Sequence, residues 1–285
     1  MIRIYVDTAS DIKDSTAKKY NIEKIKVPTM FGEKEYIQKS PESFDDFYEI
    51  LENEEIMPNT SQPSVGDLTR IFQDVKQSGD QAIFYTLSSG ISGTYETALG
   101  LKKNLQVPNL EVVDTKSGTS GQQLLAIEAA QMRDQGASFD EIIKENNKLI
   151  GRLNVSMCLN SFTYLKKGGR IPAALAMIGN ALNIKAIISF SKKGDLFSIS
   201  KERGYKRVMK SCVSHHKKTK IDRKYPVFVI YTSSLSLAEE MGELLNKEVP
   251  ELDIQYCQIG PVIGAHLGPD CVGLSTVSDI RLFDL

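Results

Sequence analysis

Over the first 150 residues one order recurs: a short apolar run, a polar loop, then a stretch with helical spacing. The runs are 2–6, 24–29, 82–87 and 110–113. Helical spacing follows at 44–51, where Phe44, Phe47, Tyr48 and Leu51 share a face behind Ser40 and Pro41. It returns at 65–77, where Leu68, Ile71, Phe72 and Val75 line up behind the cap Ser64, and at 94–104, 121–134 and 138–149. Ser138 opens the last of these with Glu141 three residues on, the pattern of a capping box. Residues 31–37, turning at Gly32, read as a hairpin, and 59–64 as a polar loop. Strand, polar loop and helix repeated in this way predict a parallel sheet with helices on both faces. Ligands of such sheets gather at the carboxyl ends of the strands, where this chain places Asp7, Thr8, Ser10 and Asp11.

After Gly151 the texture changes. Residues 155–159 read as a strand, 163–172 as a loop turning at Gly168 and Gly169, and 172–182 as a helix that Pro172 opens. Strands 185–190 and 196–199 flank the turn 192–195, which requires antiparallel pairing. A basic helix at 204–219 precedes strand 227–231, helix 235–246 and strand 252–257. Residues 259–269, with glycines and prolines around His266, read as a held loop before a last strand at 271–277. The fold class expected is therefore α/β in two domains. An N-terminal parallel sheet flanked by helices (1–158) precedes a C-terminal mixed-sheet α/β domain (159–285), with the boundary near 151–165.

The formal net charge of −1 gives the chain no general attraction to nucleic acid or to an anionic membrane. Only 201–224 is strongly basic, without a helix-turn-helix or RNP pattern, so a solvated face or an acidic protein partner is expected there and no nucleic acid. No apolar run approaches the ~20 residues of a membrane span, and the start, MIRIYVDTASD, lacks a basic and then apolar leader. A cytoplasmic location without stable membrane insertion is expected. Cys158, Cys212, Cys257 and Cys271 are scattered, and no HExxH, EF-hand, GxxxxGK or GxGxxG spacing occurs, so neither a metal nor a cofactor is expected.

The stretch LSSGISGTYETA at 87–98 runs from a strand end into a Gly/Ser-rich turn that opens a helix. Free backbone N–H groups and the hydroxyls of Ser92 and Thr94 make it a candidate cradle for a carboxylate or phosphate, with Gly93 allowing close approach. Thr60 and Ser61 are not needed as caps, which marks them as candidate ligand contacts. His266 is the one histidine in an apolar setting. A lipid ester or thioester hydrolase using Ser92, His266 and Asp7 or Asp114 is the alternative chemistry, although GxSxG is missing.

Six stretches in fixed order carry a resemblance: VDTASD at 6–11, TSQPS at 60–64, LSSGISGTY at 87–95, VVDTKS at 112–117, LKKGGRI at 165–171 and IGPVIGAHLGP at 259–269. In these the chain resembles the DegV family from end to end. The resemblance implies a protein without catalysis of its own that buries the tail of one long-chain fatty acid between its domains. It implies a separate ATP-dependent fatty-acid kinase subunit as partner, which makes the acyl phosphate used in phospholipid synthesis. Carried over by motif, Thr60, Ser61, Ser92, Gly93, Thr94, Gly264 and His266 would surround the carboxylate, with Arg170 near the head group or the kinase contact. Leu175, Met177, Ile178 and Leu182 would help to set chain length and saturation.

Overall fold

A computed structural model describes residues 1–40, 42–53, 56–171 and 183–285. At its centre is β1 (Ile2–Asp7), paired in parallel with β2 (Ile22–Ile25), which α1 (Asp14–Lys19) leads into, and with β6 (Gln81–Thr86). β7 (Leu110–Asp114) extends the sheet beyond β6, giving the order β2-β1-β6-β7. Alternation along the strands divides the side chains between two faces. Tyr5, Phe84 and Val112 meet Leu68, Phe72 and Val75 of α3 (Val65–Ser78) and Ala98 of α4 (Thr94–Leu105). Ile4, Val6, Ile83 and Tyr85 meet Leu125, Ala126 and Ala129 of α5 (Thr119–Asp134) and Ile142 of α6 (Phe139–Ile150). The capping box at Ser138 and Glu141 forms as its spacing requires.

A second sheet has the order β10-β9-β8-β13-β11-β12. Its strands are β8 (Leu153–Leu159), β9 (Ile184–Phe190), β10 (Leu196–Arg203), β11 (Val227–Tyr231), β12 (Ile254–Gln258) and β13 (Val272–Val277). β11 and β12 are parallel and the other neighbours antiparallel, so the sheet is mixed. Cys158, Ile187, Val229 and Leu274 face outward under α8 (Tyr205–Lys218) and α9 (Leu235–Glu248). Val155, Met157, Ile188 and Ile230 face inward and join the cluster that contains α5. α5 is therefore sandwiched between the sheets, and all of residues 119–126 are buried. β8, which a division at 158 and 159 leaves with the first half, pairs in this second sheet.

Three local expectations are corrected. Part of the polar loop at 59–64 is β5 (Pro58–Thr60), which pairs antiparallel with β3 (Thr29–Phe31), itself paired with β4 (Lys34–Glu35). Three residues with a proline are too few to show alternation, so the pairing is set by β3. Residues 259–269 are not a loop, since Pro261–Leu267 form a helix, α10, with Pro261 in its first turn. Three glycines and two prolines lower local helix propensity there, and packing overrides it. Val262, Ala265 and Leu267 are buried, and Ala265 joins Phe47, Tyr48 and Leu51 of α2 (Asp45–Asn53). A short helix, α7 (Thr163–Lys167), stands where the loop before Gly168 was expected. The expected helix 172–182, with Leu175, Met177, Ile178 and Leu182, lies outside the described residues, as does Pro41. Among the described residues no helix is long and apolar enough to cross a membrane.

Candidate functional site

The inner face of the second sheet, α10 and the loops at the carboxyl edge of the first sheet enclose a cavity of about 440 Å³. Its buried end is mostly apolar, with Val155 and Met157 on β8, Ile188 on β9, Ile230 on β11, then Ile259 and Val262, and with Thr119, Ser156 and Ser189 as its polar members. Phe190, Leu196 and Ile263 complete that wall, and Val27, Leu87 and Leu165 close the side toward the first sheet. Its outer end is polar and, among the described residues, carries no carboxylate, with Thr60, Ser61, Gln62, Ser92, Gly93, Arg170 and His266. Ser92, Gly93, Arg170 and Leu196, together with Ile91 of the same lining, also border an adjoining hollow of about 370 Å³ that opens toward solvent beside Gly169, Ile171 and Asp195.

Three elements distant in sequence position the outer end. β5 holds Thr60 through its pairing with Thr29, and α10 carries His266 in its last turn, 2.8 Å from Thr60 Oγ1 through Nε2. Burial, and then the Arg170 charge, push the His266 imidazole down to about 4, so the ring is neutral at pH 7. Its buried Nδ1 has no partner among the described residues and faces Gly168. A buried acceptor is left unpaired at lower cost than a buried N–H, which favours the tautomer with hydrogen on Nε2. Nε2–H then donates to Thr60, and the Thr60 hydroxyl hydrogen is left to point at an acceptor in the cavity.

Ser92 is arranged in the same way. Its Oγ accepts from the Thr94 backbone N–H at 3.3 Å and lies 2.9 Å from Thr94 Oγ1, at the start of α4. Thr94 is buried behind Ser92 and is not among the residues lining the cavity. With Thr94 donating, the Ser92 hydroxyl is a second donor free to turn toward the cavity. Ser61 lines the mouth, but its hydroxyl donates to the Gln62 carbonyl at 3.1 Å. The exposed Arg170 guanidinium donates to the Gly168 carbonyl at 2.7 Å. Gly264 is also absent from the lining and packs against the Phe47 and Tyr48 side chains. Two polarised hydroxyls backed by neutral partners suit an anionic group that stays chemically accessible, whereas a buried cation would hold its electrons tightly.

The groups of a hydrolase triad are apart. Ser92 turns to Thr94 and His266 to Thr60, so neither hydrogen-bonds the other. Asp7 is spent on the backbone N–H groups of Leu87 (2.8 Å) and Ala9 (3.1 Å) and on Gln122 Nε2 (2.9 Å). Burial raises its carboxyl to about 6 against those bonds. Asp114 accepts from the Ser89 N–H and pairs with Lys116. With His266 Nδ1 unpartnered, no carboxylate orients the ring as a general base requires. The basic α8 covers the face of the second sheet turned away from the cavity, and its Lys217 pairs with Glu248 of α9.

The sequence did not single out Gln62, Gly168 or the strand residues of the apolar end. Gln62 sits inside the quoted TSQPS motif and Gly168 inside LKKGGRI, so position in those motifs was the available signal. The wall residues carry none, because a strand residue facing a cavity and one facing solid core look alike.

Known proteins resemble the chain along its whole length. A family model described as "Uncharacterised protein, DegV family" matches residues 1–279. A DegV domain-containing protein of Caldanaerobacter subterraneus is 32% identical over 274 residues, covering 96% of this chain and 97% of the relative. A protein of Thermotoga maritima named fatty acid-binding protein is 29% identical over 278 residues, with 95% and 96% covered. Among solved structures, a fatty acid binding DegV family protein from Streptococcus agalactiae superposes with a TM-score of 0.88 at 26% identity, covering 98% of this chain and 99% of that one.

Proposed function

The chain belongs to the DegV family, and from that premise we propose that it binds one long-chain fatty acid, tail inward and carboxylate at the Thr60, Ser92 and His266 mouth. The observation that carries this reading is the pairing in one cavity of a largely apolar interior with an exit lined by hydroxyl, amide and guanidinium donors. About 15 methylenes at ~0.8 kcal/mol each give roughly 12 kcal/mol of gross burial, while hydrogen bonds to a charged group contribute ~1.5 to 3 kcal/mol each. The tail sets affinity and the head sets pose. Names of relatives agree in kind, since those of Thermotoga maritima and Streptococcus agalactiae are called fatty acid-binding.

We further propose that the protein is not itself an enzyme. It offers the carboxylate, in the cytoplasm, to a separate ATP-dependent kinase subunit, whose product is the acyl phosphate with ADP released. The adjoining hollow beside Ser92 and Arg170 supports this by leaving room for an incoming phosphoryl group. Ser92→Ala and His266→Ala variants should retain less acid on purification and yield less acyl phosphate, trapped as hydroxamate, when kinase and ATP are supplied. Equal loading and equal product in both variants would refute the head-group assignment.

A further inference from the structure

Neither hydroxyl donor at the mouth is charged, and Arg170 spends one guanidinium nitrogen on Gly168. A carboxylate offers about four lone-pair sites, of which the Thr60 and Ser92 hydroxyls fill two. Gln62 lies between those two loops. It follows Thr60 and Ser61 in sequence, yet its side chain reaches across to α4, where the Thr97 hydroxyl donates to Gln62 Oε1. That bond turns the amide so that Nε2 rests directly over Gly93, so closely that a Cβ at residue 93 would collide with it. Nε2 carries two N–H donors, and neither has a partner among the described residues. Gln62 and Gly93 both line the polar end of the cavity, beside Ser92.

We infer that Gln62 is a further ligand-binding residue, donating from Nε2 to the carboxylate and so selecting an acid over an uncharged lipid of the same chain. The inference rests on the fatty-acid reading and adds a specificity determinant to it. The absence of a side chain at Gly93 acquires a purpose here, because a Cβ there would strike Nε2. The Thr97 bond anchors the amide with Oε1 toward α4 and Nε2 over Gly93. With the amide reversed, an oxygen would oppose the carboxylate, so Thr97 acts as a positioning residue.

The test compares delipidated wild type, Gln62→Ala, Gln62→Glu and Thr97→Val, titrated with oleate and with oleyl alcohol by displacement of a fluorescent fatty acid. For oleate, Gln62→Ala should weaken binding roughly tenfold and Gln62→Glu roughly a hundredfold, with Thr97→Val between wild type and Gln62→Ala. Oleyl alcohol should bind all four within about twofold, because the lost interaction is with the charge. Gln62→Glu binding oleate as wild type does would overturn the inference and leave the fatty-acid reading standing. A parallel loss of acid and alcohol would also overturn it, by assigning Gln62 a merely structural part. Wild type binding neither lipid would refute the parent reading and this one together.

Discussion

The two ends of the cavity are built by opposite means. The apolar end is made of strand residues such as Val155, Ile188 and Ile230, fixed by the ladders of the second sheet and shared with the core around α5. The polar end is made of single residues from β5, the start of α4, the turn after α7 and the last turn of α10, tied by side-chain bonds such as Thr60 to His266. Regular elements give a wall whose shape resists change, since interiors are packed to crystal density. Short elements and loops give donors that are positioned one at a time. Under the proposed function the wall would select chain shape and the loops would hold charge.

Filling the wall is expected to have the largest effect. Ile188→Phe, which intrudes on the buried end, should displace the equivalent of about four methylenes and weaken a long chain by roughly a hundredfold. It should also move the acids recovered from the purified protein toward shorter chains, read by mass spectrometry of the extract. An unchanged chain profile would mean that the wall does not measure length.

Removing one donor should do less. Thr60→Val keeps the shape and deletes the hydroxyl, so affinity for a long-chain acid should fall roughly tenfold with the recovered chain profile unchanged. A shifted profile would erase the distinction between the ends.

The third test uses pH on the ligand-free protein. The folded His266 imidazole is held below its ordinary value, at about 4, so the stability it contributes is fully present above the unfolded value near 6.5. That contribution is lost as pH falls toward 4. His266→Gln should therefore lose less stability than wild type between pH 6.5 and 4 in urea titrations, although it starts less stable. Parallel slopes would show that the imidazole is not the group protonated.

The smallest effect is expected at Ser61. Its hydroxyl is committed to the Gln62 carbonyl, so Ser61→Ala should leave acid binding within about twofold. A loss as large as that of Thr60→Val would show that Ser61 turns to the ligand.

Legibility in the sequence followed the same divide. Thr60, Ser92 and His266 stand in motifs quoted from the chain, and β1, β6 and β7 showed their apolar runs plainly. The layering did not show. α5 carries Ser120, Gln122 and Gln123, polar residues that give no local sign of burial, yet both sides of its first turns are buried. Gln122 is satisfied inside, donating to Asp7 and to the Tyr85 carbonyl, a pairing between residues 115 and 37 positions apart that no local pattern reveals. α10 was hidden for a different reason, since its glycines lower propensity while Gly264 is needed for contact with Phe47 and Tyr48. Gln62 was overlooked because its function depends on reaching Thr97, 35 residues away.

The proposed function puts one acyl chain in the space between α5, α10 and the second sheet. Native mass spectrometry of the protein as purified tests it most directly, with the same sample extracted and its acids identified. The account predicts a single mass increment equal to one long-chain fatty acid, lost on delipidation and restored by adding that acid. A protein that carries no increment and takes up none when offered saturated and unsaturated acids would contradict it.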